Sequence, residues 1–126
     1  MTNFEKVGRF HQVFGHPVNT APALVSDKAA ELRLDLIREE LQELEYAVHT
    51  DNIIEIADAL TDILYVTYGA AHAYGIDVDA CFDEVQRSNM SKAGEDGEPI
   101  YREDGKILKG PNYSEPNLKP ILFGEV

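Results

Sequence analysis

The fold is decided by residues 39–58, which read EELQELEYAVHTDNIIEIAD. Two stretches rich in apolar residues flank a short polar break at 50–52, and polar side chains of this kind end one helix and cap the next. Acidic residues recur three apart on both sides of the break, at Glu40, Glu43, Glu55 and Asp58. Because residues three apart are neighbours on a helix surface, this stretch predicts two antiparallel helices whose paired carboxylates face each other.

Apolar residues repeat at helical spacing on both sides of this stretch. The repeat and its flanking cap residues predict four helices. The first covers about 3–14, the second follows its N-cap Ser26 and ends near His49, the third covers about 53–74, and the fourth follows Asp77 and ends near Ser88. The third of these is apolar around nearly its whole circumference, so we expect it to be buried. The fold class is therefore predicted to be all-α, a bundle-like subunit of four to five helices.

The sequence changes character from Met90 onward, where glycines and prolines interrupt a polar segment too often to sustain a helix. We predict one domain over 1–126, with a helical core of about 1–88 and a C-terminal tail or lid of about 89–126. Within that tail, Asp104-Gly105 lies between short apolar runs, a pattern that favours a small β-hairpin.

Composition excludes several functions. The net charge is −12, from 23 acidic and 11 basic residues, which argues against binding of a DNA or RNA polymer. A single cysteine permits neither an internal disulfide nor a CxxC motif. The first residues lack the apolar run of a secretory signal, and no stretch approaches the ~20 apolar residues of a membrane span. We therefore expect a cytoplasmic protein with no membrane partner.

The middle of the chain lacks positive charge. Between Glu39 and Gln86 there are twelve carboxylates and no lysine or arginine. Carboxylates that become partly buried need a positive partner, and four oxygen ligands suit Mg²⁺, with Mn²⁺ as a substitute. Two alternatives stay open: an ordinary solvated acidic face, and a carboxylate-bridged di-iron site. The second is disfavoured because it needs Glu-x-x-His pairs, whereas His49 follows Glu45 by four residues.

The acidic pattern also resembles a known signature. Residues 39–43, EELQE, followed by residues 55–58, EIAD, resemble the ExxE and ExxD motifs of the all-α nucleotide pyrophosphohydrolases. That superfamily includes MazG, phosphoribosyl-ATP pyrophosphatase and the dimeric dUTPases. Segments 88–92 and 105–111 are similar to those of a MazG-like, phosphoribosyl-ATP pyrophosphatase-like subgroup, and the resemblance extends over about 10–118. It implies homodimers, sometimes paired into homotetramers, and Mg²⁺-dependent hydrolysis of nucleoside triphosphates to monophosphate and pyrophosphate.

Roles for individual residues follow from the resemblance by position. It implies that the Mg²⁺ ligands are Glu40, Glu43, Glu55 and Asp58. Glu39 becomes the candidate general base, although a helical wheel places it on the outward sector. Further candidates for contact with the nucleotide are Lys92 and Asn89 for phosphate or sugar, Asp62 for a further metal or a supporting contact, and Phe14 and His16 for the base.

Three functions are compatible with these residues. The first is a nucleotide-pool enzyme that hydrolyses a canonical or modified nucleoside triphosphate. The second is hydrolysis of phosphoribosyl-ATP in histidine biosynthesis. The third, of a different class, is a non-catalytic acidic helical module that assembles through its third helix.

Overall fold

The computed structural model describes residues 1–124, and the described residues form helices without any extended strand. The helices are α1 (Asn3–Phe14), α2 (Asp27–His49), α3 (Ile53–Tyr74), α4 (Val78–Met90) and α5 (Lys119–Phe123). The all-α prediction is confirmed. Within the described residues no helix combines the length and the apolarity needed to cross a bilayer.

Local chemistry explains where the helices begin. The Thr2 hydroxyl accepts a hydrogen bond from the Glu5 amide at 3.1 Å, and the Glu5 carboxylate accepts one from the Thr2 amide at 2.8 Å. This reciprocal pair is the predicted capping box of α1. Ser26 caps α2, and Asn52 caps α3 by accepting a hydrogen bond from the Glu55 amide at 3.1 Å. Such caps satisfy amides that have no partner within the helix.

The tail departs from its prediction in two ways. It contains the short helix α5, because Pro120 lies in the first turn, where a missing amide hydrogen costs nothing. The expected β-hairpin is reduced to one isolated antiparallel bridge between Tyr101 and Ile107. The Arg102 amide donates to the Lys106 carbonyl at 2.8 Å beside this bridge. The turn at Asp104-Gly105 is therefore present without regular strands.

The first of two compact units runs from Met1 to Asp77 and contains α1, α2 and α3. Helices α2 and α3 pack along each other through the short turn at 50–52, and α1 packs on α3. The expectation that α3 is buried is wrong for this chain by itself, since Ile53 and Ile54 are about three-quarters exposed and Leu60 and Leu64 about half exposed. Two neighbouring helices cannot cover a helix that is apolar on every side.

The second unit begins at Val78 and contains α4 and the described part of the tail. The tail is tied to α4 through Glu84, whose carboxylate accepts hydrogen bonds from Arg87 at 2.7 Å and from the Asn117 amide at 2.6 Å. These bonds lower the pKa of Glu84 to about 2. Arg87 also donates to the Glu115 carbonyl at 3.0 Å.

The end of α3 depends on a glycine. Gly75 has φ of 70°, the left-handed conformation that glycine adopts without strain. The loop before α2 crosses here: Asn19 donates to the Ala73 carbonyl at 2.7 Å. A Cβ on Gly75 would lie 2.3 Å from the Ala21 carbonyl oxygen. The loop and the helix end are therefore closely fitted.

We expect Gly75→Ala to destabilise the protein by about 2 kcal/mol more than Gly15→Ala. Gly15 is a matched control, since it has φ of 75° but no atom within 4 Å of a Cβ. It should lose only the conformational term of about 1 kcal/mol, whereas Gly75→Ala adds a clash with backbone. Urea unfolding measures both free energies. Equal losses would show that the loop at Ala21 moves aside without cost.

Candidate metal centre

Three carboxylates converge where α2 packs on α3. Glu40 and Glu43 project from α2 and Asp62 from α3, and each offers a carboxylate oxygen within 4.8 Å of the other two. The two glutamates are one helical turn apart, so they share a face of α2. Glu40 and Asp62 are half-buried and Glu43 is exposed, which gives the group one side open to solvent. We call these three residues the acidic cluster.

Glu40 is the member of the acidic cluster with the most strongly raised pKa. Its Oε2 atom is fully buried and, among the described residues, has no hydrogen-bond partner. Burial raises the pKa of Glu40 to about 7, and the neighbouring charges of Glu43, Asp62 and Asp58 contribute to the rise. Burial also raises the pKa of Asp62, reinforced by the charges of Asp58 and Glu43. A buried oxygen without a donor, among like charges, fits a bound cation.

A cleft of about 740 Å³ adjoins the acidic cluster. Glu43 lines it and so belongs to both features, and Glu55 and Asp58 line it from α3. Both of these α3 residues are exposed. The structure thus brings all four predicted ligands to one region, with Glu40 and Glu43 in the acidic cluster and Glu55 and Asp58 on the cleft.

Asp62 is a member of the acidic cluster itself, whereas the sequence predicted a further metal or a supporting contact for it. It follows Asp58 by four residues on the acidic stripe of α3, and residues so spaced lie on one face of a helix. That spacing was the signal for its position. Which turn of α3 lies beside Glu40 depends on the register between the helices, and periodicity alone does not specify it.

Glu39 lines the same cleft and is exposed. The helical wheel correctly placed it on a solvent-facing sector, yet that sector borders the cleft. An exposed carboxylate beside the acidic cluster has access to water and to a ligand in the cleft. The outward position is therefore compatible with contact to a bound molecule.

The two candidates for base contact, Phe14 and His16, are both exposed at the end of α1 in the first unit. Their rings gather around Phe10, with centroid distances of 4.6 Å for Phe14 and 6.1 Å for His16. The rings of Phe10, Phe14 and His16 therefore form a small aromatic cluster at the end of α1. Exposed aromatic faces of this kind are available for stacking.

The phosphate candidates, Asn89 and Lys92, lie in the second unit, at the end of α4 and just beyond it. Asn89 is exposed and Lys92 is half-buried. The Lys92 amide donates to the Asn89 carbonyl at 3.2 Å, and the Lys92 carbonyl accepts from the Gly110 amide at 2.8 Å. These bonds hold the backbone of Lys92 in place.

The acidic cluster and the cleft lie within a recognisable family segment. Residues 7–89 match the family described as phosphoribosyl-ATP pyrophosphohydrolase. The chain belongs to this family. The suspected superfamily is thereby confirmed, and the matched segment includes both features.

Two further proteins are similar to this phosphoribosyl-ATP pyrophosphohydrolase family member. The uncharacterized protein L479 of Acanthamoeba polyphaga mimivirus is 48% identical in an alignment of 82 residues that covers 62% of this chain and 33% of that protein. The chain therefore spans about a third of the length of this relative. A crystal structure from Exiguobacterium sp. 255-15, provisionally named an NTP pyrophosphohydrolase, aligns with a TM-score of 0.51 at 26% identity. That alignment covers 97% of this chain and 92% of the other.

The residues of this family member fit a divalent cation. The donor set of Glu40, Glu43 and Asp62 consists of oxygen atoms alone, which favours a hard cation over zinc or copper. The Glu40 carboxylate also has one oxygen, Oε2, that is buried and receives no hydrogen bond from the described residues. A cation between these carboxylates would also relieve their mutual repulsion.

Proposed function

We propose that the protein is a Mg²⁺-dependent nucleoside triphosphate pyrophosphohydrolase, which releases the monophosphate and pyrophosphate. One observation carries this proposal: three carboxylates meet within 4.8 Å, and one of them, that of Glu40, has a buried oxygen without a partner among the described residues. An ordinary solvated face would leave every carboxylate oxygen hydrated. The family match and the Exiguobacterium structure support the same reaction class.

In this proposal Glu40, Glu43 and Asp62 hold the cation, and Glu55 and Asp58 complete the site from the cleft wall. A divalent cation held by these residues would supply positive charge to the phosphate oxygens and would make a nearby water molecule more acidic. Glu39, exposed at the cleft, accepts a proton from the attacking water. The carboxylates fix the reacting groups in position, and positioning with charge stabilisation accounts for most of the rate gain in such hydrolysis.

We propose that the substrate is bound by further residues that the sequence indicated. Lys92 and Asn89 would contact phosphate or sugar. Phe14 and His16 would contact the base through their exposed rings. The acidic cluster by itself repels an anionic triphosphate, so the positive charges of the metal ion and of lysine must offset that repulsion.

We also propose that the chain forms a homodimer, with pairing of dimers into a homotetramer as a further step. The exposed apolar side chains of α3 support this, since Ile53 is 74% exposed and Ile54 is 76% exposed. On α2, Leu34 and Leu41 are about half exposed. Exposed large apolar side chains that form a contiguous patch mark interaction sites in natural proteins, so these residues support an interface on α2 and α3.

The test is pyrophosphate release from a panel of nucleoside triphosphates, with Mg²⁺ and with EDTA. We expect release from at least one triphosphate with Mg²⁺, restoration of activity by Mn²⁺, and none with EDTA. A second candidate function is hydrolysis of phosphoribosyl-ATP, which the description of the matched family favours, and selective release from that compound would establish it. Absence of metal-dependent release from every substrate would favour a non-catalytic helical module.

A further inference from the structure

Arg33 is a buried cation without a counter-ion. It lies on α2 and is only 6% exposed. Within the described part of the chain, no ion pair or hydrogen bond involves its guanidinium. Burial lowers the pKa of Arg33, and no carboxylate acts against this shift. The group nevertheless stays protonated, because the pKa of arginine lies far above neutral pH.

Two other arginines, Arg38 and Arg87, form ion pairs with carboxylates. Arg38, on the same helix, binds Glu31 at 2.8 Å and Asp35 at 3.0 Å. Arg87 binds Glu84 at 2.7 Å. These pairs are at least partly exposed to solvent. Water already stabilises their charges, so they need an ionic partner less than a buried guanidinium does. The one arginine with most need of a partner therefore lacks one.

Among the described residues, polar side chains surround Arg33, and no carboxylate perturbs its guanidinium. A Cβ on Gly69 would lie 3.3 Å from Arg33 Nη1 and 2.9 Å from His11 Nε2, so both side chains reach the same point on α3. His11 is 3% exposed, and its Nδ1 lies 2.7 Å from the Pro17 carbonyl oxygen. Since a carbonyl only accepts, His11 donates there. A glycine at position 69 is what permits this approach.

We infer that Arg33 binds a small oxyanion, of the phosphate class, that enters from outside the chain. A buried charge that lacks a partner is strongly destabilising, and a guanidinium binds phosphate oxygens in a bidentate fashion. Glu40 Oε2 is the only side-chain oxygen or nitrogen of the described residues that is both fully buried and unpaired, so the unpaired guanidinium nitrogens of Arg33 keep some contact with solvent.

The position of Arg33 suggests where the anion comes from. Arg33 precedes Glu40 by seven residues, which places both on one face of α2 about 10 Å apart. Gly69 follows Asp62 by the same interval on α3. A nucleotide that lies along this face would bring one of its phosphate groups to Arg33. This assignment of the source depends on the proposed function, whereas binding of free phosphate does not.

The test uses thermal unfolding of the intact chain in EDTA, with inorganic phosphate as the probe. We expect phosphate at about a hundred times its Kd to raise the Tm by roughly 5 °C or more. Arg33→Met should abolish this shift and, without phosphate, should have a higher Tm than wild type because the unpaired charge is gone. Arg38→Met is the matched control on the same helix and should keep the full phosphate response.

Two results would overturn the inference: no stabilisation of the wild type by phosphate, or an equal shift in Arg33→Met. In the first case, a changed oligomeric state in Arg33→Met would show that Arg33 is satisfied at an interface with a second copy instead. Should Arg33→Met not fold, side-chain ¹⁵N resonances of the wild type provide the second measurement. The Arg33 Nε signal, identified by its absence in Arg33→Lys, should shift with phosphate, and an unmoved signal would contradict the inference.

A comparison of AMP with inorganic phosphate separates the two sources of the oxyanion. Stabilisation by AMP that exceeds that of phosphate, lost in Arg33→Met, would assign the site to a nucleotide phosphate. A response to phosphate but not to AMP would assign it to the free anion. EDTA prevents turnover in all these measurements, so their outcome is independent of whether the protein hydrolyses triphosphates.

Discussion

Glu43→Gln is expected to lower kcat for pyrophosphate release by at least roughly 100-fold while leaving helix content unchanged. Glu43 belongs to both the acidic cluster and the adjoining cleft, so its charge acts at the point where cation and nucleotide would meet. The amide keeps the shape of the side chain and removes its charge. Asp58→Asn, which changes a residue that lines the same cleft from α3, is expected to have the same effect.

The matched control for this prediction is Glu45→Gln. Glu45 is exposed on α2, two residues beyond Glu43, and lies outside the acidic cluster. Initial rates over a Mg²⁺ titration, with circular dichroism for helix content, measure all three variants. Near-normal activity of Glu43→Gln or Asp58→Asn would show that the ligand assignment is wrong. An equal loss in Glu45→Gln would attribute the effect to net charge instead.

Local features of the fold were predictable because they depend on near neighbours in sequence. The capping box at Thr2 and Glu5 and the cap at Asn52 each need only residues three positions apart, and so do the helices that they begin. The apolar repeat likewise located α2 and α3 correctly. These interactions form within one or two helical turns, so sequence alone specifies them.

Features that depend on register or on a partner were not predictable in the same way. The turn between α2 and α3 includes Asp51 with φ of 52°, and a change of one residue there would alter which acid faces Glu40. The close approach of Asp62 to Glu40 is therefore a property of the folded hairpin. The apolar circumference of α3 predicts burial, yet periodicity does not specify which helices cover it. The burial of Arg33 without a counter-ion left no sequence signal.

The stabilisation of the protein by Mg²⁺ is expected to increase as pH rises toward 7. In the metal-free protein the pKa of Glu40 is raised from 4.5 to about 7, so the folded state binds more protons than the unfolded state between these values. The contribution of Glu40 to stability is then present at low pH and is lost as pH rises through about 7. Bound cation requires the ionised carboxylate, so it competes with this proton.

The expected pH dependence of Mg²⁺ affinity follows from that competition. Below the pKa of Glu40, each fall of one pH unit should weaken apparent Mg²⁺ affinity by about tenfold for one displaced proton, with little change above pH 8. Calorimetry in buffers of different ionisation enthalpy measures the affinity and the proton released, and melting with Mg²⁺ or EDTA at pH 6 and pH 8 gives an independent reading. Glu40→Gln carries no ionisable proton, so its metal-free protein should be more stable than wild type at pH 8. It should also release no proton when Mg²⁺ is added. Proton release equal to that of wild type would mean that another carboxylate, with Asp62 the nearest alternative, holds the proton that Mg²⁺ displaces.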